Sequence, residues 1–158
     1  MSAHIETVGV IGAGQMGRGI AQIAADAGCA VLLCDVDRAT ADAGRQRIHD
    51  GLNKLVQKGK FEAVRASAIV ERIRPLDGIR DLAPAQIVIE AATENENLKT
   101  KLFVEVDRAL SAGAILASNT SSISITRLAA RTGRAPNVIG MHFMNPVPVM
   151  KLVEVIRG

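Results

Sequence analysis

Three glycines near the start of the chain have the spacing of a phosphate-binding turn. Gly12, Gly14 and Gly17 directly follow a run of β-branched residues, and apolar residues recur at helical spacing from Gln15 onward. In a strand, turn and helix unit such glycines permit a tight turn, close approach of a pyrophosphate and close helix packing. The N–H groups at the helix start then face the phosphates. We therefore predict cofactor contacts from Gly12, Ala13, Gly14, Gln15, Met16 and Gly17.

An acidic residue follows at the distance that a dinucleotide site requires. Asp35 ends a second apolar run, where a carboxylate accepts hydrogen bonds from the adenosine ribose. A 2′-phosphate would face this carboxylate, so the pattern favours NAD over NADP, and Arg38 is near enough to moderate that preference. The alternative, a glycine-rich turn in an unrelated α/β protein, does not explain the strand, helix and acid together.

The residues that could exchange or relay a proton come late in the chain. His142 follows the apolar run 138–141, at the edge of the sheet where the glycine turn is expected, so it is the best candidate for a general base. His4 is near the terminus and His49 is within a predicted helix. Glu154 lies within the last apolar run. A structural histidine at a strand end is the alternative, and a simple hairpin closing at residues 146–148 would not set residue 142 opposite residue 154.

Other polar residues also lie close to strand ends. Glu90 is a charged residue within the apolar run 86–92, which indicates a functional site at the carboxyl end of that predicted strand. Glu94 and Lys99 lie near the start of the next helix, where cofactor contact and ordinary helix-end charge are equal alternatives.

Two further polar segments have open interpretations. Residues 118–122 are five small hydrogen-bonding residues. Ser121, Ser122 or Ser124 could cap the following helix or contact a ligand. Lys54, Lys58 and Lys60 lie around the end of the second helix, where they could meet phosphates of a large anionic substrate or simply stabilise the helix end.

Strands and helices alternate along the chain. Apolar runs predict strands over residues 8–11, 30–34, 73–76, 86–92, 114–117, 138–141 and 151–156, with Pro75 placing the third at an edge. Helical spacing predicts helices over 15–27, 38–58, 61–70 and 95–110, and another from 123. This order predicts an α/β fold with a doubly wound, mostly parallel sheet of the Rossmann type.

Composition limits the possible classes of protein. The 158 residues suit one domain, 1–158, and 48% hydrophobic residues indicate a globular protein. A net charge of +3 without Trp or Tyr makes nucleic acid an unexpected partner, whereas an anionic ligand is favoured. We find no signal segment, membrane-spanning run or metal-ligand pattern, so we expect the cytoplasm, no membrane and no metal. Cys29 and Cys34 should point to opposite faces of a strand and remain reduced.

Four sequence blocks together resemble one enzyme family. GAGQMG at 12–17, IEAATEN at 89–95, SNTSS at 118–122 and GMHFMNPVPVMKLVEVI at 140–156 are similar to blocks of the L-3-hydroxyacyl-CoA dehydrogenases. The resemblance covers nearly the whole chain and implies a domain that binds NAD. It implies an oxidoreductase that interconverts L-3-hydroxyacyl-CoA and 3-oxoacyl-CoA, with an acyl-CoA thioester as its partner.

The same resemblance implies roles for individual residues. His142 matches the histidine that takes the proton of the 3-hydroxyl, and Glu154 matches the glutamate that orients it. Ser121 would bond the substrate near the thioester, and Asn145 would lie at the nicotinamide. The remaining implied contacts are Glu94 and Lys99 with the cofactor and Lys58 with coenzyme A. The serine through which some relatives contact the coenzyme is replaced by Gly51.

Length is the main departure from the family pattern. Enzymes of this family continue into a helical C-terminal domain that completes the substrate pocket and forms a homodimer, and this sequence stops at Gly158. The resemblance therefore leaves two interpretations, an excised cofactor domain or a short relative. An NAD-binding module without turnover, acting as a sensor or as part of a larger assembly, is the alternative to an enzyme.

Overall fold

The apolar runs of the sequence form a single seven-stranded sheet in a computed structural model that describes residues 4–158. The strands are β1 (Thr7–Ile11), β2 (Ala30–Cys34), β3 (Ile73–Pro75), β4 (Ile87–Glu90), β5 (Ile115–Ser118), β6 (Val138–Phe143) and β7 (Val153–Arg157). Their order is β3-β2-β1-β4-β5-β6-β7, and only β7 runs antiparallel to its neighbour. This topology confirms the doubly wound, mostly parallel sheet.

Helices cover both faces of the sheet. They are α1 (Gln15–Asp26), α2 (Arg38–Gln57), α3 (Ala63–Glu71), α4 (Glu96–Ala109) and α5 (Ile125–Ala129), with 3-10 turns at Ile79–Leu82 and Ala135–Asn137. Side chains of Asp37, Asn95 and Ser124 accept hydrogen bonds from backbone N–H groups at the starts of α2, α4 and α5. These caps fix where the three helices begin.

Two hydrophobic cores flank the sheet. One packs α1, α2 and α3 against residues such as Val10 and Leu33, and the other packs α4 and α5 against residues such as Val88 and Leu116. Successive strand residues point to opposite faces, so strands buried on both faces read as continuous apolar runs. Within residues 4–158 no helix is both long enough and apolar enough to cross a membrane.

Both cysteines are free thiols. Cys34 is buried at the end of β2, and Cys29 lies just before that strand. Burial, together with the carboxylates of Asp35, Asp81 and Glu105, raises the pKa of the Cys34 thiol to about 11. This thiol is therefore protonated at neutral pH and behaves as a small apolar side chain.

The chain reverses its winding direction at β1. Its neighbours are β2 on one side and β4 on the other, so the segments that follow β1 and β4 diverge and leave a cleft at the carboxyl edge of the sheet. The cleft has a volume of about 490 Å³ and contains Gly12, Gly14 and Asp35. The fold thus brings the predicted dinucleotide residues to one place.

Candidate active site

The glycine turn connects β1 to α1 at the head of the cleft. Gly12 has a φ of +102°, and a Cβ atom there would lie 2.6 Å from the carbonyl oxygen of Ala91. A Cβ on Gly17 would collide with the carbonyl oxygen of Gly12, whereas a Cβ on Gly14 would meet no atom within 4 Å. Gly12 and Gly17 are therefore required by packing, and Gly14 keeps the cleft open to a ligand.

The start of α1 is arranged to receive an anion. Gly14 is its N-cap residue and provides no side-chain hydrogen bond to the first N–H groups of the helix. Such groups carry partial positive charge and bind phosphate oxygens. The turn therefore fits the pyrophosphate of a dinucleotide.

Asp35 links the end of β2 to the turn. Its Oδ2 accepts a hydrogen bond from the N–H of Ala13 at 2.5 Å, and its Oδ1 accepts one from the N–H of Val36 at 2.6 Å. Each carboxylate oxygen retains a second lone pair, so ribose hydroxyls can still donate to it. Apolar side chains of Val36, Ile79 and Leu98 line the adjacent part of the cleft, which suits a flat base.

His142 and Glu154 are directly opposite each other on β6 and β7. The imidazole Nδ1 lies 2.9 Å from Glu154 Oε2, and the side chains are 26% and 54% exposed. An ionised carboxylate only accepts hydrogen bonds, so a neutral imidazole in this pair carries its proton on Nδ1 and presents the lone pair of Nε2. The arrangement can therefore accept a proton at Nε2 and hold the resulting charge.

The sequence expectation for this hairpin was wrong in two respects. His142 lies inside β6 because that strand continues to Phe143, and β7 begins only at Val153. The connection is therefore wide and centred on Pro148, so the ladder itself sets residue 142 opposite residue 154. The pairing follows from strand register as well as from the family resemblance.

The polar residues that follow β5 have different structural roles. Ser124 caps α5, so neither Ser121 nor Ser122 does. Thr120 Oγ1 donates to Glu94 and accepts from the N–H of Ile123, which holds the segment against the start of α4. The exposed Ser121 forms no side-chain hydrogen bond within residues 4–158 and is available to a ligand.

Asn119 is a site residue that the sequence interpretation missed. Its Oδ1 accepts a hydrogen bond at 2.9 Å from the backbone N–H of Phe143, the residue after His142. It thereby ties the end of β5 to the strand that carries the imidazole. Its position after a buried strand was the available signal, but a backbone partner on another strand cannot be read from the sequence.

Glu90 and Lys99 form a buried ion pair where β4 ends. Lys99 Nζ lies 2.6 Å from Glu90 Oε1 and 3.2 Å from the carbonyl oxygen of Ala92. Glu90 also accepts hydrogen bonds from Ser118 Oγ at 2.6 Å and from the N–H of Ala92 at 2.7 Å.

Lys99 thus lies in a different environment from the one expected. Its side chain is 1% exposed and braces the strand ends, because a buried ammonium needs a carboxylate partner. Glu94, by contrast, is exposed at the segment before α4. Contact of these two residues with the cofactor remains a prediction.

Asn145 and Lys58 are the two remaining residues that the sequence predicted for the site. Asn145 Oδ1 accepts a hydrogen bond from Gln15 Nε2 at 3.1 Å, which connects the glycine turn to the segment after β6. Lys58 is an exposed residue at the C-terminal end of α2 and forms no ion pair in the described part of the chain. Asn145 is therefore linked to the glycine turn, whereas Lys58 lies at the end of α2 without an ion-pair partner in that part of the chain.

Comparison with known proteins identifies the family to which this chain belongs. Residues 7–158 match the family model described as 3-hydroxyacyl-CoA dehydrogenase, NAD binding domain. The chain is 51% identical over 155 residues to a probable 3-hydroxybutyryl-CoA dehydrogenase of Bacillus subtilis, a match that covers 98% of this chain and 54% of that protein. It is 49% identical over 158 residues to the 3-hydroxybutyryl-CoA dehydrogenase of Bradyrhizobium diazoefficiens, covering 100% of this chain and 54% of the relative.

A solved structure agrees with these matches. The crystal structure of (S)-3-hydroxybutyryl-CoA dehydrogenase from Ralstonia eutropha has a TM-score of 0.94 at 48% identity, over 98% of this chain and 55% of that one. The chain thus spans about half the length of the relatives that it matches. It belongs to the 3-hydroxyacyl-CoA dehydrogenase family, and residues 7–158 form the NAD-binding domain of that family.

Proposed function

We propose that this protein is an NAD-dependent oxidoreductase that interconverts L-3-hydroxyacyl-CoA and 3-oxoacyl-CoA. The observation that carries the proposal is the His142–Glu154 pair, with Nδ1 and Oε2 2.9 Å apart on adjacent strands. The pair lies at the carboxyl edge of β6, and the glycine turn lies at the same edge after β1. A base and a dinucleotide site at one sheet edge suit removal of a proton and a hydride from one carbon–oxygen centre.

NAD, when bound, supplies the hydride acceptor for alcohol oxidation. The glycine turn and Asp35 would hold its pyrophosphate and adenosine ribose. Glu94 and Asn145 are proposed to contact the nicotinamide half. Lys99 would act on the same part of the cofactor from its buried pair with Glu90.

His142 performs the proton transfer in this proposal. Nε2 accepts the proton of the 3-hydroxyl during oxidation and returns it to the 3-oxo oxygen during reduction. Glu154 holds Nδ1–H, which keeps the required tautomer and stabilises the imidazolium that forms. Ser121 would donate a hydrogen bond near the thioester, since it is exposed and its hydroxyl has no hydrogen-bond partner within residues 4–158.

The names of the relatives support the substrate class. The matched proteins of Bacillus subtilis and Bradyrhizobium diazoefficiens are named as 3-hydroxybutyryl-CoA dehydrogenases. Acetoacetyl-CoA is therefore the substrate to test, with Lys58 proposed to meet the coenzyme A portion. A homodimer is proposed for the protein when a C-terminal domain is present.

The test is oxidation of NADH by acetoacetyl-CoA, followed by loss of NADH absorbance. We expect turnover that requires both reactants and that His142→Gln nearly abolishes, with NADH affinity unchanged. NADH binding without turnover in a protein that includes the C-terminal domain would instead support an NAD-binding module.

A further inference from the structure

A second cavity adjoins the dinucleotide cleft where the adenosine ribose is expected. Its volume is about 250 Å³, and it is lined by Arg38, Arg74, Pro75, Leu76, Asp77 and Asp81. Asp77 also lines the dinucleotide cleft, as Asp35 does, so the two cavities share a wall. A group attached to the 2′-oxygen of a ribose held by Asp35 would therefore lie close to the second cavity.

Arg38 has the position of a group that could bind a 2′-phosphate. It is the first residue of α2 and follows Asp35 by three residues. In dinucleotide sites that accept NADP, an arginine near this position accommodates the 2′-phosphate. The planar guanidinium forms charge-assisted hydrogen bonds to phosphate oxygens. The chain thus has a carboxylate that suits NAD and, close to it, a guanidinium of the kind that suits NADP.

Two carboxylates hold this guanidinium from different elements. Arg38 Nε lies 3.2 Å from both carboxylate oxygens of Asp42, which is one turn further along α2. Arg38 Nη1 lies 3.6 Å from Oδ1 of Asp77, which follows β3. The hydrogen bonds to Asp42, together with the charges of Asp42 and Asp77, raise the pKa of Arg38 above its ordinary value. The donors that a phosphate would need are therefore already engaged.

The charges around the second cavity also oppose a phosphate. Four carboxylates surround two guanidinium groups there, namely Asp35, Asp42, Asp77 and Asp81 around Arg38 and Arg74. The local excess is therefore negative, and a phosphate would add to it. The side chains of Arg38, Asp42 and Asp77 are 48%, 54% and 78% exposed, so each ion pair is individually weak and a single substitution can release it.

We propose that Asp42 and Asp77 are specificity-determining residues that restrain Arg38 and thereby disfavour NADP. Asp35 acts on the ribose directly, whereas Asp42 and Asp77 act by engaging the guanidinium that would otherwise turn to a 2′-phosphate. The inference rests on the NAD site of the proposed function and is independent of the reaction at His142.

The test is a comparison of NADH and NADPH binding, followed by nicotinamide fluorescence at constant ionic strength. Kd for both cofactors would be measured with the wild type, Asp42→Asn, Asp77→Asn and the variant that carries both substitutions. Asp50→Asn is the matched control, because it removes the same charge from an exposed position two turns beyond Asp42 on α2. Arg38→Gln would be introduced into the wild type and into the double asparagine variant.

We expect each asparagine variant to tighten NADPH binding by about twofold to fivefold, the range that corresponds to loss of an exposed ion pair. The double variant should gain about tenfold, with the Kd for NADH changed by less than about twofold, and Asp50→Asn should match the wild type. Arg38→Gln should weaken NADPH binding more in the double variant than in the wild type, because the guanidinium is free to bind the phosphate only in the former.

An unchanged Kd for NADPH in the double variant would overturn the inference. An equal effect of Arg38→Gln in both backgrounds would also overturn it, because the carboxylates would then act through their charge alone. A parallel gain in NADH affinity would exclude an action on the 2′-phosphate. Failure of the wild type to bind NADH would contradict the proposed cofactor site and this inference with it, whereas NADH binding without turnover would contradict only the proposed reaction.

Discussion

Lys99 Nζ lies 2.6 Å from Glu90 Oε1, and both side chains are closed to solvent. The carboxylate also receives hydrogen bonds from Ser118 at the end of β5 and from the backbone of Ala92. Ala91 in turn packs against Gly12, where a Cβ atom would be too close to its carbonyl oxygen. One buried pair thus supports segments on both sides of the cofactor cleft.

We expect Lys99→Met to reduce the free energy of unfolding by about 3–5 kcal/mol, because it leaves the Glu90 carboxylate buried without its counterion. The double variant Glu90→Gln, Lys99→Met should recover part of this loss, since no buried charge remains. Chemical denaturation measures both, and Lys101→Met on an exposed position of the same helix is the control. A Lys99→Met protein as stable as the control would refute this role.

His142→Gln should lower the rate of acetoacetyl-CoA reduction by about 10²- to 10⁴-fold, because the general base is removed. Its Kd for NADH should stay the same, since the glycine turn and Asp35 are untouched. Glu154→Gln should cost less, because the imidazole remains and only its orientation and charge stabilisation are weakened. Steady-state rates and NADH titrations of the enzyme with its C-terminal domain check this. A His142→Gln rate equal to that of the wild type would reject the mechanism.

NADH should bind more tightly than NADPH, by about tenfold or more, because a 2′-phosphate would approach the Asp35 carboxylate. Arg38 should reduce this repulsion only slightly, since its guanidinium is already paired with Asp42 at 3.2 Å and with Asp77 at 3.6 Å. Asp35→Ser should reduce the difference in affinity between NADH and NADPH. Fluorescence titration with both cofactors provides the measurement, and equal affinities in the wild type would overturn the assignment.

The decrease in the free energy of unfolding at acidic pH should depend on Asp107. Burial opposes its ionisation, but hydrogen bonds from Arg134 and the N–H of Gly133, with the Arg134 charge, hold the pKa of this carboxyl below its ordinary value. A lowered folded-state pKa stabilises the protein above the unfolded value of about 3.9, and this contribution disappears as the pH falls through the folded-state pKa.

Asp107→Asn should therefore be less stable than the wild type at pH 7, and the difference should shrink below about pH 4. Urea unfolding at several pH values measures it. The exposed Asp77→Asn is the control for loss of a carboxylate. A difference that stays constant from pH 7 to pH 3 would argue against this linkage.

Residues 1–158 alone should bind NADH but turn over acetoacetyl-CoA weakly or not at all. The glycine turn and Asp35 are complete, whereas the side chain of Glu154 is 54% exposed and that of His142 is 26% exposed, so the substrate wall is open on one side. Loss of substrate positioning can remove several orders of magnitude in rate. Assays with and without a separately produced C-terminal domain test this, and full activity of residues 1–158 alone would contradict it.

The same residues alone should also self-associate. Large apolar side chains are exposed on β7 and the segment before it, namely Val149, Met150, Leu152, Val155 and Ile156. An exposed group of this kind favours association with another surface. Sedimentation over a range of concentrations measures it, and strictly monomeric behaviour would contradict the expectation.

Most of the fold could be predicted from the sequence because it depends on local patterns. The strand, glycine turn and helix around Gly12 are encoded by β-branched residues, glycines and helical spacing. The predicted positions of the strand ends were less accurate, since β4 ends at Glu90 and β6 extends to Phe143. Those limits depend on which backbone groups find partners on neighbouring strands, and no single segment contains that information.

The site was partly predictable for a similar reason. Position after an apolar run made His142 the candidate base, and the family resemblance added its partner Glu154 and the substrate role of Ser121. The roles of Asn119 and Thr120 depend on partners more than twenty residues away. Lys99 was expected beside the cofactor, and its burial with Glu90 follows from tertiary packing.

The opposition of His142 and Glu154 in an antiparallel ladder also determines which insertions the hairpin can accept. Residues 149–152 are exposed and outside the ladder, so a change in loop length there leaves the pair facing each other if the register is kept. A slip of one residue would turn Glu154 to the other face of the sheet. Natural or engineered variation in this loop is therefore constrained by strand register, and its length can change freely within that limit.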